Sequence, residues 1–265
     1  MLKLMIFMGI DEAYERDKRN LIEAKRNDPV IYLDDYIDEN DIEIIGFIAS
    51  QFAYGRIAVF MRFLKALFKK MGKSPFYFIK KGDFSNLSGM YYRFQRDRDL
   101  IMLFDVLNRI VDEFNSIGNM LKTFYSGDIR DTLWSVRRHI FSNNGELKFF
   151  FPAPSPSNPM KRWNLFLRWM VRKDEIDRGI WDFIDKRDLI VPLDANIFKI
   201  GRCLGWTKAK NPSFKAAVEI TGALRSLSPE DPLKYDFFLC HRVGIAAGCR
   251  GIKSQECKAR CLIYL

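Results

Sequence analysis

The sequence predicts an all-helical fold, and three observations carry that reading. Apolar residues recur at the helical period of about 3.6 through most of the 265 residues. Only Lys148-Phe-Phe-Phe-Pro152 has the look of a strand, and it reads equally as an extended entry to a proline-rich turn. Hydrophobic residues make up 48% of the chain and Phe alone contributes 23 positions, which calls for a packed interior. A chain of this length buries a large core, as one big domain or as two lobes.

The elements follow in order. Met1 to Ile10 is apolar but short. It runs into acidic residues with no small-residue cleavage site, so it reads as intracellular chain, either a start-site artefact or a helix packed on the core. No run reaches 18 uninterrupted apolar residues, which excludes a membrane span. Asp41 to Gln51 predicts a helix with Asp41 near its cap, so apolar beyond its first turn that it must be buried. Gly55 to Met71 predicts an amphipathic helix with Ile57, Phe60, Phe63, Leu64 and Leu67 on one face and lysines at its end. Lys73-Ser-Pro-Phe76 is a break. Ser88 to Phe94 and then Arg98 to Phe114 continue the helices, the latter with Phe104, Leu107, Ile110, Val111 and Phe114 in period. Asp128 to Phe141 is a further helix, ending in Arg137-Arg138-His139. Ser142 to Gly145 predicts a turn. Phe214 to Leu227 is amphipathic, and Asp236 to Val243 starts the last helix.

Met160 to Gly205 is the stretch with chemical content. Asn158 is a good N-cap and Pro159 suits a first helical position, so Lys161 falls near the third position of its helix. A lysine there opposes the helix dipole, which favours the free amine that a nucleophile needs. A second helix opens at Asp194, with Ile197, Ile200 and Leu204 in period and Gly205 as its stop. Taken singly, Lys161 reads as a solvated side chain and Asp194 as an N-cap. Their order gives them weight together.

The net charge of +10 and a pI near 9.3 fit an anionic partner, although charge alone leaves nucleic acid and incidental surface charge equally open. Glycine-rich phosphate loops, HExxH and paired CxxC motifs are absent. Only His139 and His241 are present, which excludes a multi-histidine metal site. The five cysteines are an odd count, against a disulfide framework. Cys249, Cys257 and Cys261 are spaced C-x7-C-x3-C, with Cys240 nine positions earlier. They are free thiols or zinc ligands on spacing alone.

Lys161-Arg-Trp-Asn164-Leu-Phe-Leu167 resembles the helix after the hairpin in helix-hairpin-helix DNA glycosylases of the endonuclease III type. Pro192-Leu-Asp194-Ala-Asn-Ile197-Phe198-Lys-Ile200 is similar to that family's Val-Asp-Thr-His-Ile-Phe-Arg-Val segment. Ile45 to Gln51 resembles its buried helix ending Leu-Ser-Ala-Gln. The likeness spans roughly Asp28 to Gly244 and points to an uncharacterised bacterial branch. The two key residues stand 33 positions apart, a gap widened by Lys173 to Leu189 that resembles the archaeal 8-oxoguanine glycosylases. Pro152 to Pro159 replaces the usual Leu-Pro-Gly-Val-Gly, so the hairpin is degenerate.

The resemblance implies two helical lobes around a central cleft. Residues 1–51 and 191–265 would form one, and residues 52–190 the other, carrying the hairpin-like turn. It implies a base-excision repair glycosylase with AP-lyase activity, 8-oxoguanine being the first substrate to try. Lys161 would be the Schiff-base nucleophile and Asp194 the catalytic acid. Gln51 would lie beside the DNA and the flipped base, and Asp231 or Asp236 would touch that base. Arg168 and Arg172 would meet phosphate unless they are solvated charges. The partner would be double-stranded DNA bound by a cytoplasmic, nucleoid-associated monomer. No cofactor is required, with a 4Fe–4S cluster on Cys240, Cys249, Cys257 and Cys261 as the alternative. A non-catalytic DNA- or RNA-binding module on the same scaffold is the second reading. A protein-interaction scaffold is the third.

The chemistry explains the residue types. A base inside a duplex must be flipped out, at a cost of about a few kcal/mol. Breaking its N-glycosidic bond leaves positive charge at C1′, which a carboxylate stabilises. A neutral amine attacks C1′ to form a Schiff base, and burial together with the positive helix end would lower its pKa.

Overall fold

The computed structural model describes residues 2–141 and 147–264. They form helices joined by turns, with two isolated β-bridges, Tyr92 to Gln95 and Lys173 to Arg178, and no extended strand among the described residues. The helices are α1 (Leu2–Lys25), α2 (Glu39–Phe52), α3 (Ile57–Met71), α4 (Pro75–Lys81), α5 (Asp97–Phe114), α6 (Ile117–Phe124) and α7 (Ile129–Ile140). They continue with α8 (Lys161–Val171), α9 (Ala195–Cys203), α10 (Phe214–Leu227), α11 (Asp236–Phe238) and α12 (Gln255–Lys258). A 3₁₀ helix, Pro29–Asp35, precedes α2. A π-helical stretch, Leu239–Ala246, continues α11. No helix among the described residues is long and apolar enough to cross a membrane.

Helix α2 is the centre of the molecule. Twelve of its residues, from Asp41 to Phe52, are buried. It packs on α8, α3, α4, α6 and the 3₁₀ helix. Most of its helical neighbours come from residues 52–190. Gly46 permits the approach of α8: a Cβ there would lie 2.8 Å from Met170 Cε. Phe47 then meets Trp163 and Phe166 edge-on, at centroid distances of 5.3 and 5.4 Å. Buried Glu43 accepts from the Gly118 backbone N–H at 2.9 Å and from Trp181 Nε1 at 2.7 Å, which ties α2 to the start of α6. A carboxylate suits that end of a helix, although burial raises its pKa. The remaining helices gather around a second group, in which α9 packs on α10 and the π stretch, and α1 packs on α11 and the π stretch.

Several local expectations are corrected. The cap of α2 is Asp38, whose carboxylate accepts from Asn40 N and Asp41 N. Asp41 lies a turn later and accepts from Phe76 N at 2.7 Å and Ser74 Oγ at 3.2 Å, so it satisfies the start of α4. Ser88 to Phe94 is not helical, because Gly89 and Arg93 adopt φ of +76° and +54°. Instead, Tyr92 and Gln95 exchange backbone hydrogen bonds. Helix α6 was not anticipated, since eight residues give too short a run to show the helical period. Lys148 to Pro152 forms turns, with Leu147 at φ +57°. The turn expected at Ser142 to Gly145 lies outside the described residues.

Candidate functional site

Lys161 and Asp194 line the same cavity, of about 470 Å³. Each reaches it from the first turn of its helix, but the local geometry differs between them. Asp194 is the N-cap of α9, as its position before the amphipathic run predicts. One carboxylate oxygen accepts from Asn196 N and Ile197 N, both at 2.8 Å. The other accepts weakly from the Cys240 thiol and from Asn196 Nδ2, both at 3.4 Å. Asn158 is not the cap of α8. Its side chain accepts from Met160 N, and Met160 takes the cap position in a left-handed conformation, φ +54°. Lys161 is therefore the first helical residue rather than the third. Its Nζ donates to the Ala53 carbonyl at 3.1 Å, which aims the amine toward the link between α2 and α3.

That link, Tyr54-Gly55-Arg56, forms another wall. Gly55 has φ +87°, and a Cβ there would lie 2.7 Å from the Arg93 guanidinium. The loop that Arg93 belongs to is therefore pressed against the cavity wall. It exposes Tyr91 (65%) and Phe94 (70%), each under an arginine: Arg96 over Tyr91 at 5.7 Å and Arg93 over Phe94 at 5.3 Å.

The floor belongs to α8 and α11. Arg168 donates to Asp177 at 3.1 and 3.2 Å and to Asp236. Arg172 donates to Asp174 and Asp231, each at 2.9 Å, and to Asp177. Both arginines are buried. Burial is the largest influence and works against their charge, but the carboxylates together outweigh it, Asp177 first, with Asp236 at Arg168 and Asp231 at Arg172, and both guanidiniums are held protonated more firmly than usual. Burial pushes the Asp177 carboxyl up to about 6, against the pull of both arginines. It also raises Asp236. One oxygen of Asp236 is bonded to Arg168. The other is buried without a hydrogen-bond partner among the described residues.

The π stretch supplies Cys240 and His241, which the sequence reading did not place here. His241 Nε2 lies 3.0 Å from Asp28, and its ring stacks on Phe237 at 4.1 Å. Burial opposes the Asp28 charge, yet the His241 contact and the Val30 N–H hold its pKa below the usual range. Burial, with Asp194 beside it, drives the Cys240 thiol well above its ordinary pKa. A π segment is a common way to present functional side chains, and no period in the sequence reveals one.

The structure thus brings Lys161, Asp194, Asp236 and Arg168 together. Arg168 is no solvated charge and has its fork turned onto carboxylates. Arg172 and Asp231 bond to each other away from this cavity. Gln51 is fully buried and does not line it; its Nε2 reaches only Ser50 Oγ at 3.4 Å. Of the cysteines, Cys240 faces Asp194, whereas Cys249, Cys257 and Cys261 line a different cavity together with Cys203. The four cysteines grouped from the sequence do not form one set.

Residues 28–246 match the family described as Protein of unknown function (DUF2400), and the chain belongs to that family. No curated protein matches the chain. No solved structure matches it. The resemblance to the helix-hairpin-helix glycosylases is corrected by this match, which covers the segments that carried it and assigns them elsewhere. The motif at Asp194 is ordinary N-cap chemistry, which by itself carries no family assignment.

Proposed function

We propose that this DUF2400 protein is a DNA glycosylase with AP-lyase activity that acts on a flipped, damaged base, with an oxidised purine such as 8-oxoguanine as the first candidate. The reading rests on one observation: an amine and a carboxylate from separate helices share one cavity. The Lys161 amine attacks C1′ as the N-glycosidic bond breaks, and the base departs with a proton. Asp194 stabilises the charge that develops at C1′. The C1′–O4′ bond then opens, with a proton going to O4′, to leave the protonated Schiff base; loss of a C2′ proton from it expels the 3′ phosphate and nicks the strand.

Other features support a nucleic-acid substrate. A net charge of +10 favours a polyanion. The exposed Tyr91 and Phe94, each paired with an arginine, offer stacking surfaces beside the cavity wall. The unpartnered Asp236 oxygen is an acceptor for an N–H group of a base. In this reading the cavity is the cleft between two lobes, and the protein acts as a cytoplasmic monomer.

Borohydride trapping tests the proposal, on duplexes holding an abasic site or 8-oxoguanine. The wild type should form a covalent adduct and Lys161→Gln none. Tight, salt-sensitive binding without an adduct would replace the proposal by a non-catalytic nucleic-acid-binding module.

A further inference from the structure

A second cavity, of about 250 Å³, opens where α9 ends. Four of the five cysteines line it: Cys203 at the last position of α9, Cys249 just past the π stretch, Cys257 within α12, and Cys261 beyond it. We propose that these four thiolates hold an iron–sulfur cluster. The proposal is independent of the reaction at Lys161.

The donor set and the space decide between metals. Four thiolates suit zinc or an iron–sulfur cluster, both of which prefer sulfur. A zinc ion needs its ligands drawn within about 2.3 Å of one point. Among the described residues, no group of three or more His, Cys, Asp or Glu side chains is arranged to hold a single metal ion. The thiols instead stand around an open space, which a cluster fills with its own iron and sulfide. Ile200, Leu204, Val243 and Ile263 make the walls apolar. Four thiolates outweigh the positive charge of a cluster core, and Lys253 and Arg260 on the wall supply the offset.

The loop is shaped for sulfur. Gly251 N donates to Cys249 Sγ at 3.4 Å, and Ser254 Oγ lies 3.3 Å from Cys257 Sγ. Gly251 holds φ +79°, and a Cβ there would lie 3.0 Å from Lys199 Cβ, so the loop is pressed onto α9. Burial raises the Cys203 and Cys261 thiols above their usual range. Metal binding would displace those protons. The cluster would fasten the C-terminal segment to α9, the helix that Asp194 caps.

The test uses the full chain, purified without oxygen and reconstituted with an iron salt, inorganic sulfide and a thiol reductant. The expected result is a broad visible absorbance, with iron and acid-labile sulfide in equal amounts per chain. Cys203→Ser and Cys257→Ser should each lose most of that iron, and Cys240→Ser should retain it. Circular dichroism accompanies each variant. If Cys203→Ser fails to fold, the more accessible Cys257→Ser decides. Wild-type protein that keeps one zinc, or no metal, overturns the proposal. Equal iron loss in Cys240→Ser overturns the ligand assignment.

Discussion

Helix α9 has a cavity at each end, and the two are built on opposite principles. The Asp194 end is set by side chains that hold one another. Arg168 and Arg172 share Asp177, Asp236 joins the network, and Asp28 holds His241 over Phe237. Each element there is anchored in a large core. At the Cys203 end, the wall is the segment from Cys249 to Tyr264, where the helical content is four residues of α12 and Ile263 is the buried apolar side chain. Side chains fix the first end before any ligand arrives. The second end has little packing of its own, a circumstance in which small segments are stapled by metals or disulfides.

The largest expected effects separate chemistry from structure at the first end. If the proposed function holds, Lys161→Gln should lower strand nicking by on the order of 10³-fold or more, because it removes the proposed nucleophile. It should change stability by less than about 1 kcal/mol, since Lys161 is half-buried and makes one hydrogen bond to Ala53. Asp194→Asn keeps a good N-cap but loses the charge. Activity should fall by about 10² to 10⁴-fold with the melting temperature nearly unchanged. Asp194→Ala loses the cap as well, at about 1 kcal/mol. Equal melting losses for Asn and Ala would show that Asp194 matters as a charge in the fold, and would undo this contrast.

The same contrast explains what could be read from the sequence. The cap at Asp194 was legible because an N-cap is a local device, complete within three residues. The periods of α3, α5 and α10 were legible for the same reason. The start of α8 was not, because Met160 takes a left-handed conformation that a Met-Lys pair does not announce. Cys240 and His241 were missed as wall residues because a π stretch has no signature of its own. The arginines showed the right type and spacing on α8. Their destination depended on Asp177, Asp231 and Asp236, and only tertiary packing brings those to one point. Cys203 stood alone in the sequence, 46 residues before Cys249, and only the turn of the chain joins it to the others.

The next effect in size tests whether the first end is self-supporting. Arg172→Met leaves Asp174, Asp177 and Asp231 without their shared cation. A buried charge stripped of its partner costs about 3–5 kcal/mol, read as a lower denaturant midpoint at pH 7. Stability should recover in part as pH falls toward 6, since the Asp177 carboxyl, already raised to about 6 in the wild type, protonates sooner without Arg172. A loss below about 1 kcal/mol would mean that the network does not hold the end of α8 to Asp177 and Asp231. Metal removal is the matching experiment at the other end. It should free the amides of residues 249–264 to hydrogen exchange while the protection of α8 persists. If α8 loosens as well, the two ends are not independent.

The smallest effect is the most specific, because it isolates one contact. Asp28→Asn keeps the cap on Val30 N and changes only the charge facing His241. The loss should be about 1.5–3 kcal/mol, the range for a hydrogen bond to a charged group. The Asp28 pKa is depressed in the folded protein. Its contribution is therefore complete above the ordinary carboxylate value near 3.9 and disappears as pH falls through the lower folded value. Urea unfolding of both proteins should show the full difference near pH 5, shrinking below about pH 4. A difference that stays constant into stronger acid would mean that the amide disturbs packing around Phe237. The His241 ring would then be held by stacking alone, and the ionic principle assigned to this end of α9 would stop short of the π stretch.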